Sequence, residues 1–192
     1  MNRHKHPVAL CDDDTMSEIV RIVDDPDSET LEAFELLSAA LTRWPDDHRL
    51  WFLRGSIYAG SQRRAEARVD FARAVALAPD FDIARFMLGL VDLLDGHVQD
   101  AAACWEPLDE EQSGRGALWL FKTGMLALCD DRFDAALDWL KQGIAVNERY
   151  PGINAYMEGI VAQIGALKRD AIGNRKDGHL LLAEYTMSRT RH

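Results

Sequence analysis

The chain has 192 residues, 47% hydrophobic and 28% charged, enough to bury a core as one domain or one short solenoid. Its net charge of −10 opposes nucleic-acid binding, which needs a clustered positive surface. No apolar run is long enough to span a bilayer, and the three cysteines show no CxxC spacing, so the composition suits a soluble protein of the reducing cytoplasm.

Residues 1–13 read as a flexible N-terminal segment. Arg3-His4-Lys5-His6 before Val8-Ala9-Leu10-Cys11 lacks the apolar run of about 7 residues that a lipoprotein signal carries. His4 and His6 are the only histidines close together, and a closed metal site needs three or four ligands, so no metal is expected. From Asp12 to Glu32 the chain carries nine carboxylates against Arg21, which reads as a solvated end or as a surface that attracts a partner. A first helix from Thr15 to Asp24 and a second with Ala33, Leu37 and Ala40 end before Pro45.

The stretch from His48 to Phe81 is a helical hairpin. Trp51, Gly55 and Tyr58 make one stripe; after a polar turn at Gly60-Ser61-Gln62, Ala67, Phe71 and Ala74 make a second, and Pro79 ends it. A glycine and an alanine let two backbones approach closely, which predicts Gly55 against Ala67. On the second helix, Arg63, Arg64, Glu66, Arg68, Asp70 and Arg73 should form a charged outer face.

The frame continues along the chain. Leu88-Gly89, Ala101 and Trp105 stand one hairpin length beyond Arg54-Gly55, Ala67 and Phe71, with Arg85 and Asp92 in place of the first-helix aromatics. Gly124, Phe133, Ala136 and Leu140 repeat it again, and a further first helix begins at Pro151 with Gly159 in the glycine position. Asp46-Asp47 and Asp130-Asp131 lie at turns, where carboxylates cap the following helix. The tail beyond Asn174 has an apolar stretch, Gly178 to Met187, expected to cap the last repeat, and a basic end.

This pattern resembles the tetratricopeptide repeat, whose frame of about 34 residues places Trp, Leu-Gly, Tyr, Ala, Phe, Ala and Pro in that order. Trp51, Gly55, Tyr58, Ala67, Phe71, Ala74 and Pro79 match, and Arg54 departs where the pattern has Leu. The resemblance implies an all-α, right-handed superhelical solenoid of helix-turn-helix repeats at about 14–47, 48–81, 82–116 and 117–151. A half-repeat follows from 152, and a capping helix with a basic tail occupies 175–192. In size, acidity and repeat number the chain looks like the small tetratricopeptide chaperones of bacterial secretion systems, a likeness at the level of the fold.

One position after the Trp51 column stand Phe52, Phe86, Phe121 and Tyr156, flanked by Met87, Leu90, Lys122, Met125, Met157 and Ile160. By the same resemblance these residues look onto a concave groove. Its aromatics and methionines suit an apolar helix or extended segment better than a terminal carboxylate, for which only Arg49 and Lys122 are at hand. The competing reading is that these side chains pack between successive repeats. No glycine-rich phosphate loop, HExxH or GxSxG is present, so neither catalytic residues nor a cofactor are expected. Two functions follow: an adaptor or chaperone binding a protein or peptide in its groove, or a structural assembly protein, such as a homodimer, whose groove holds its own or a neighbour's terminus.

Overall fold

In a computed structural model of the chain, residues 10–24, 30–109 and 116–170 are described. They form helices and no strands. The helices are α1 (Asp13–Asp24), α2 (Thr30–Arg43), α3 (His48–Gly60), α4 (Arg64–Leu77), α5 (Asp82–Leu94), α6 (Val98–Trp105), α7 (Ala117–Cys129), α8 (Phe133–Val146) and α9 (Pro151–Asp170), with a 3-10 turn at Glu106–Asp109. The tail from Gly178 to Met187, expected to be a cap, lies outside the described residues.

The chain divides into two compact units, Met1–Val91 and Asp92–His192, with the boundary inside α5. In the first unit, α3 and α4 form a close hairpin, with α2 and then α1 beside it. Leu37, Leu41 and Leu50 form one core with Met16 and Ile19; Ala67, Phe71 and Val91 form another. The second unit is built on the α7–α8 hairpin, flanked by α6 and α9.

Glycine sets how close each hairpin packs. A Cβ on Gly55 would lie 2.9 Å from the Phe71 ring and 3.2 Å from Asp70 Cβ. The predicted neighbour Ala67 is thus not the nearest: it is buried, but Phe71, one turn further on, reaches across to the glycine. Gly124, in the same column two repeats later, has Leu140 at 2.8 Å and the Ala136 carbonyl at 3.3 Å from its would-be Cβ.

The turns repeat with the same period. Gln62, Gly96 and Asp131, each one repeat from the next, take left-handed φ values of 63°, 84° and 57°. In each turn the following N–H reaches five residues back: Arg63 to Tyr58 (2.8 Å), His97 to Asp92 (2.9 Å) and Arg132 to Ala127 (2.9 Å). The left-handed residue itself bonds three back, to Ala59, Leu93 and Leu128. This is the Schellman ending, which satisfies the last carbonyls of a helix and reverses the chain.

The loops between hairpins recur as well. Asp47 N–H reaches the Trp44 carbonyl and, one repeat on, Phe81 N–H reaches the Ala78 carbonyl; at Tyr150 the N–H finds the Asn147 side-chain oxygen instead. Trp51 Nε1 donates to the Pro45 carbonyl at 2.8 Å, and Arg85, in the same column, donates from Nη2 to the Pro79 carbonyl at 2.6 Å. Arg85 therefore replaces the aromatic without losing the bond that ties helix to loop.

Candidate functional site

The residues placed in the groove fall into two groups. Phe86, Phe121, Met125 and Met157 are fully buried, and Leu90, Lys122 and Ile160 nearly so. Phe52, Met87 and Tyr156 are half-buried. A docking surface must be open to its ligand, so of the four aromatics expected to line a groove Phe86 and Phe121 are corrected to interior residues, while Phe52 in the first unit and Tyr156 in the second keep some exposed surface.

Phe121 shows why. A Cβ on Gly143 of α8 would lie 2.5 Å from the Phe121 ring and 3.3 Å from Leu120 Cβ, so the ring packs directly against α8 at the glycine. The side chain predicted to face a partner instead fills the hairpin that carries it. Phe52, in the same column two repeats earlier, has Ala74 at the position of Gly143. Its ring stays half-buried, 5.8 Å from Phe71 and 5.2 Å from Phe81, whose far side meets His48 at 4.9 Å.

Lys122 is no groove cation. Its Nζ donates to the Trp105 carbonyl at 3.1 Å and pairs with Asp109 at 2.7 Å, and Trp119 Nε1 donates to the same carboxylate at 2.9 Å. The Lys122 hydrogen bond is the main cause holding the Asp109 carboxyl below its ordinary value. The group ties α7 to the end of α6.

Residue spacing missed or misplaced three polar clusters. Asp70, expected on the charged outer face, is buried and receives Arg54 through two bonds of 2.7 and 2.8 Å. The Arg54 guanidinium lies 4.9 Å from the Trp51 ring centre and 5.9 Å from that of Tyr58. The signal was available: Arg54 is the one departure from the repeat pattern, and Asp70 stands where α4 meets it.

Cys11, expected in a flexible segment, is buried, and α1 begins at Asp13. Its N–H donates to Asp47 Oδ2 at 2.9 Å, and Arg49 Nη2 donates to its carbonyl at 2.8 Å. Asp47 does cap α3 as expected, accepting from Arg49 N–H at 3.0 Å. Burial opposes the Asp47 charge, but the Arg49 side chain and the two N–H groups outweigh it and hold the carboxyl below its ordinary value. Asp130-Asp131 differs: Asp131 takes the left-handed turn position, Asp130 pairs with Arg132, and the N-cap residue of α8 is Arg132, whose side chain makes no capping bond.

The third cluster is Asn147, whose Nδ2 donates to the Tyr150 carbonyl and to Asn154 Oδ1, both at 2.7 Å. Among the described residues no group of three or more His, Cys, Asp or Glu could hold a metal ion, and no helix is long and apolar enough to cross a membrane. No protein-family model matches the chain, and no curated protein matches it.

Proposed function

We propose that this protein is an interaction module of the tetratricopeptide type, an α-solenoid that binds an apolar helix or extended segment of another protein and works as an adaptor or chaperone. One observation carries the reading: the Schellman turns at Gln62, Gly96 and Asp131 recur once per repeat, in step with the buried glycines Gly55 and Gly124. A chain built by repetition makes extended surface for binding rather than a single pocket for chemistry. The contact residues are Phe52 and Met87 in the first unit and Tyr156 in the second. Phe86, Leu90, Phe121, Met125 and Ile160 are buried and belong to the interior of their units.

We place the protein in the cytoplasm. Cys11 is buried with its thiol pushed up, and burial with the nearby Asp130 and Asp131 pushes Cys129 up to about 11, so both are inert thiols suited to a reducing compartment.

Photo-crosslinking in the native cell tests the proposal. A benzoylphenylalanine at position 52, 87 or 156 is expected to give an adduct with another protein, and one at the exposed Arg68 of α4 is not. Adducts from position 68 alone would move binding to the outer face. Adducts of position 52 or 156 with a terminus of this chain, its own or a second copy's, would instead make it a structural assembly protein.

A further inference from the structure

Residues 11–24 lie on the first unit as a ligand lies in a site. Cys11 is gripped by both of its main-chain groups, N–H on Asp47 and carbonyl on Arg49, a contact that reads backbone and not side chain. The two clamp residues also hold each other: Asp47 is wholly buried, and Arg49 closes on it through Nε at 3.1 Å and Nη2 at 2.8 Å. Beyond Cys11, Asp12 starts the helix by accepting from Thr15 N–H and Oγ1 at 2.9 and 3.0 Å. Met16 and Ile19 then fill the apolar surface of Leu37, Ala40, Leu41 and Leu50.

The helix lacks the glycine that brings α3 and α7 close to their partners. One repeat length before Gly55 the column reaches Arg21, whose side chain is 65% exposed and turned to Glu18. The outward face of α1, with Asp13, Asp14, Ser17 and Glu18, is exposed and polar.

We infer that the surface of α2 and α3 with the Asp47–Arg49 clamp is a helix-binding site, filled within one chain by its own residues 11–24 and able to take the same segment from a second copy. The occupant follows from the fit: the site asks for one residue held by its backbone, a capped helix start and two apolar side chains three apart, and every copy carries that sequence. The inference is independent of the surface at Phe52, Met87 and Tyr156. The attached segment competes with the incoming one, so apparent affinity scales with the fraction of time the site stands open.

A fluorescein-labelled peptide of residues 10–24, titrated by anisotropy into the full-length protein, tests this. Asp12→Ala in the protein removes the helix cap without touching the core and should tighten peptide binding about fivefold over wild type. Ile19→Glu, which expels α1 from its apolar seat, should tighten it more. Added to Ile19→Glu, where the attached segment no longer competes, Arg49→Ala breaks the clamp and should weaken peptide binding about tenfold or more relative to Ile19→Glu alone, because the carbonyl of residue 11 then loses its charged donor. Unlabelled wild-type protein should displace the peptide from the Ile19→Glu protein. Equal binding by wild type and Asp12→Ala overturns the site, as does binding by the Ile19→Glu, Arg49→Ala double variant equal to that of Ile19→Glu alone. Failure of the wild-type protein to compete overturns the second copy as occupant.

Discussion

The α3–α4 and α7–α8 hairpins share glycine, turn and register, yet solve the interior differently. Between α3 and α4 lies a buried ion pair, Arg54 with Asp70. In the corresponding places of the α7–α8 hairpin stand Thr123 and Trp139. Trp139 meets Trp119 edge to face at 5.6 Å, and Thr123 Oγ1 donates to the Trp119 carbonyl within its own helix. One hairpin is thus held by charge and a half-exposed phenylalanine, the other by aromatics and a sunken one. The same backbone frame accepts both because it is fixed by glycine contacts and turn bonds, which leave the flanking side chains to be chosen.

The largest effect should come from splitting the ion pair. Asp70→Ala strands a largely buried guanidinium and should cost about 3 kcal/mol or more, read from urea unfolding. Converting the pair to that of the other hairpin, Arg54→Thr with Asp70→Trp, should lose less than Asp70→Ala alone, because no buried charge is left over. If the double variant is as unstable as the single, the two interiors are not exchangeable.

Next in size is the depth of the phenylalanines. Gly143→Ala puts a methyl into the Phe121 ring and should destabilise by roughly 1–3 kcal/mol while opening Phe121 to solvent. Ala74→Gly makes the reverse change at the corresponding place in α4 and should cost about 1 kcal/mol, from a weaker helix and a lost buried methyl. A Gly143→Ala protein with wild-type stability would break the account of why one ring is buried and the other is not.

The turns sharpen the comparison further. Gly96→Ala forces a Cβ into left-handed backbone and should cost about 1 kcal/mol. Gln62→Gly and Asp131→Gly relieve the same strain in the two hairpins and should gain a few tenths of that by thermal melting, nearly equally, since the turns are alike.

The smallest effect is one of pH at the N-terminal clamp. The Asp47 carboxyl is depressed from 3.8, so its stabilisation is fully present above that value and is lost as pH falls through and below it. Amides of α1 should lose hydrogen-exchange protection in that acid window before those of α3 and α4. In an Asp47→Asn protein this acid dependence should disappear.

Much of the fold could be read from residue spacing because the repeat rules are local. Trp51, Gly55, Ala67 and Phe71 mark where helices meet, and Pro79 where they stop. The site was less legible. Phe121 of the Phe52 column is core because α8 offers it a glycine, Gly143, where α4 has Ala74, and helical periodicity along one helix carries no such information about the next. Arg85 seemed to break the frame because the frame was written in aromatics, whereas the function kept is a hydrogen bond to a loop carbonyl. Asp130-Asp131 misled for a related reason: an acidic pair before a helix can cap it or take the left-handed turn, and backbone conformation decides.

The spacing of the contacts also orders events in time. Gly55 and Phe71 sit on successive helices joined by a turn of a few residues, so the hairpin closes a short loop and loses little chain entropy in doing so. Folding dominated by such short-range closures is fast, and each hairpin can form as soon as its own two helices have left the ribosome. The segment at Cys11 does not share this advantage. Cys11 is fixed by Asp47, a whole helical pair downstream, so it waits for α3 before it locks.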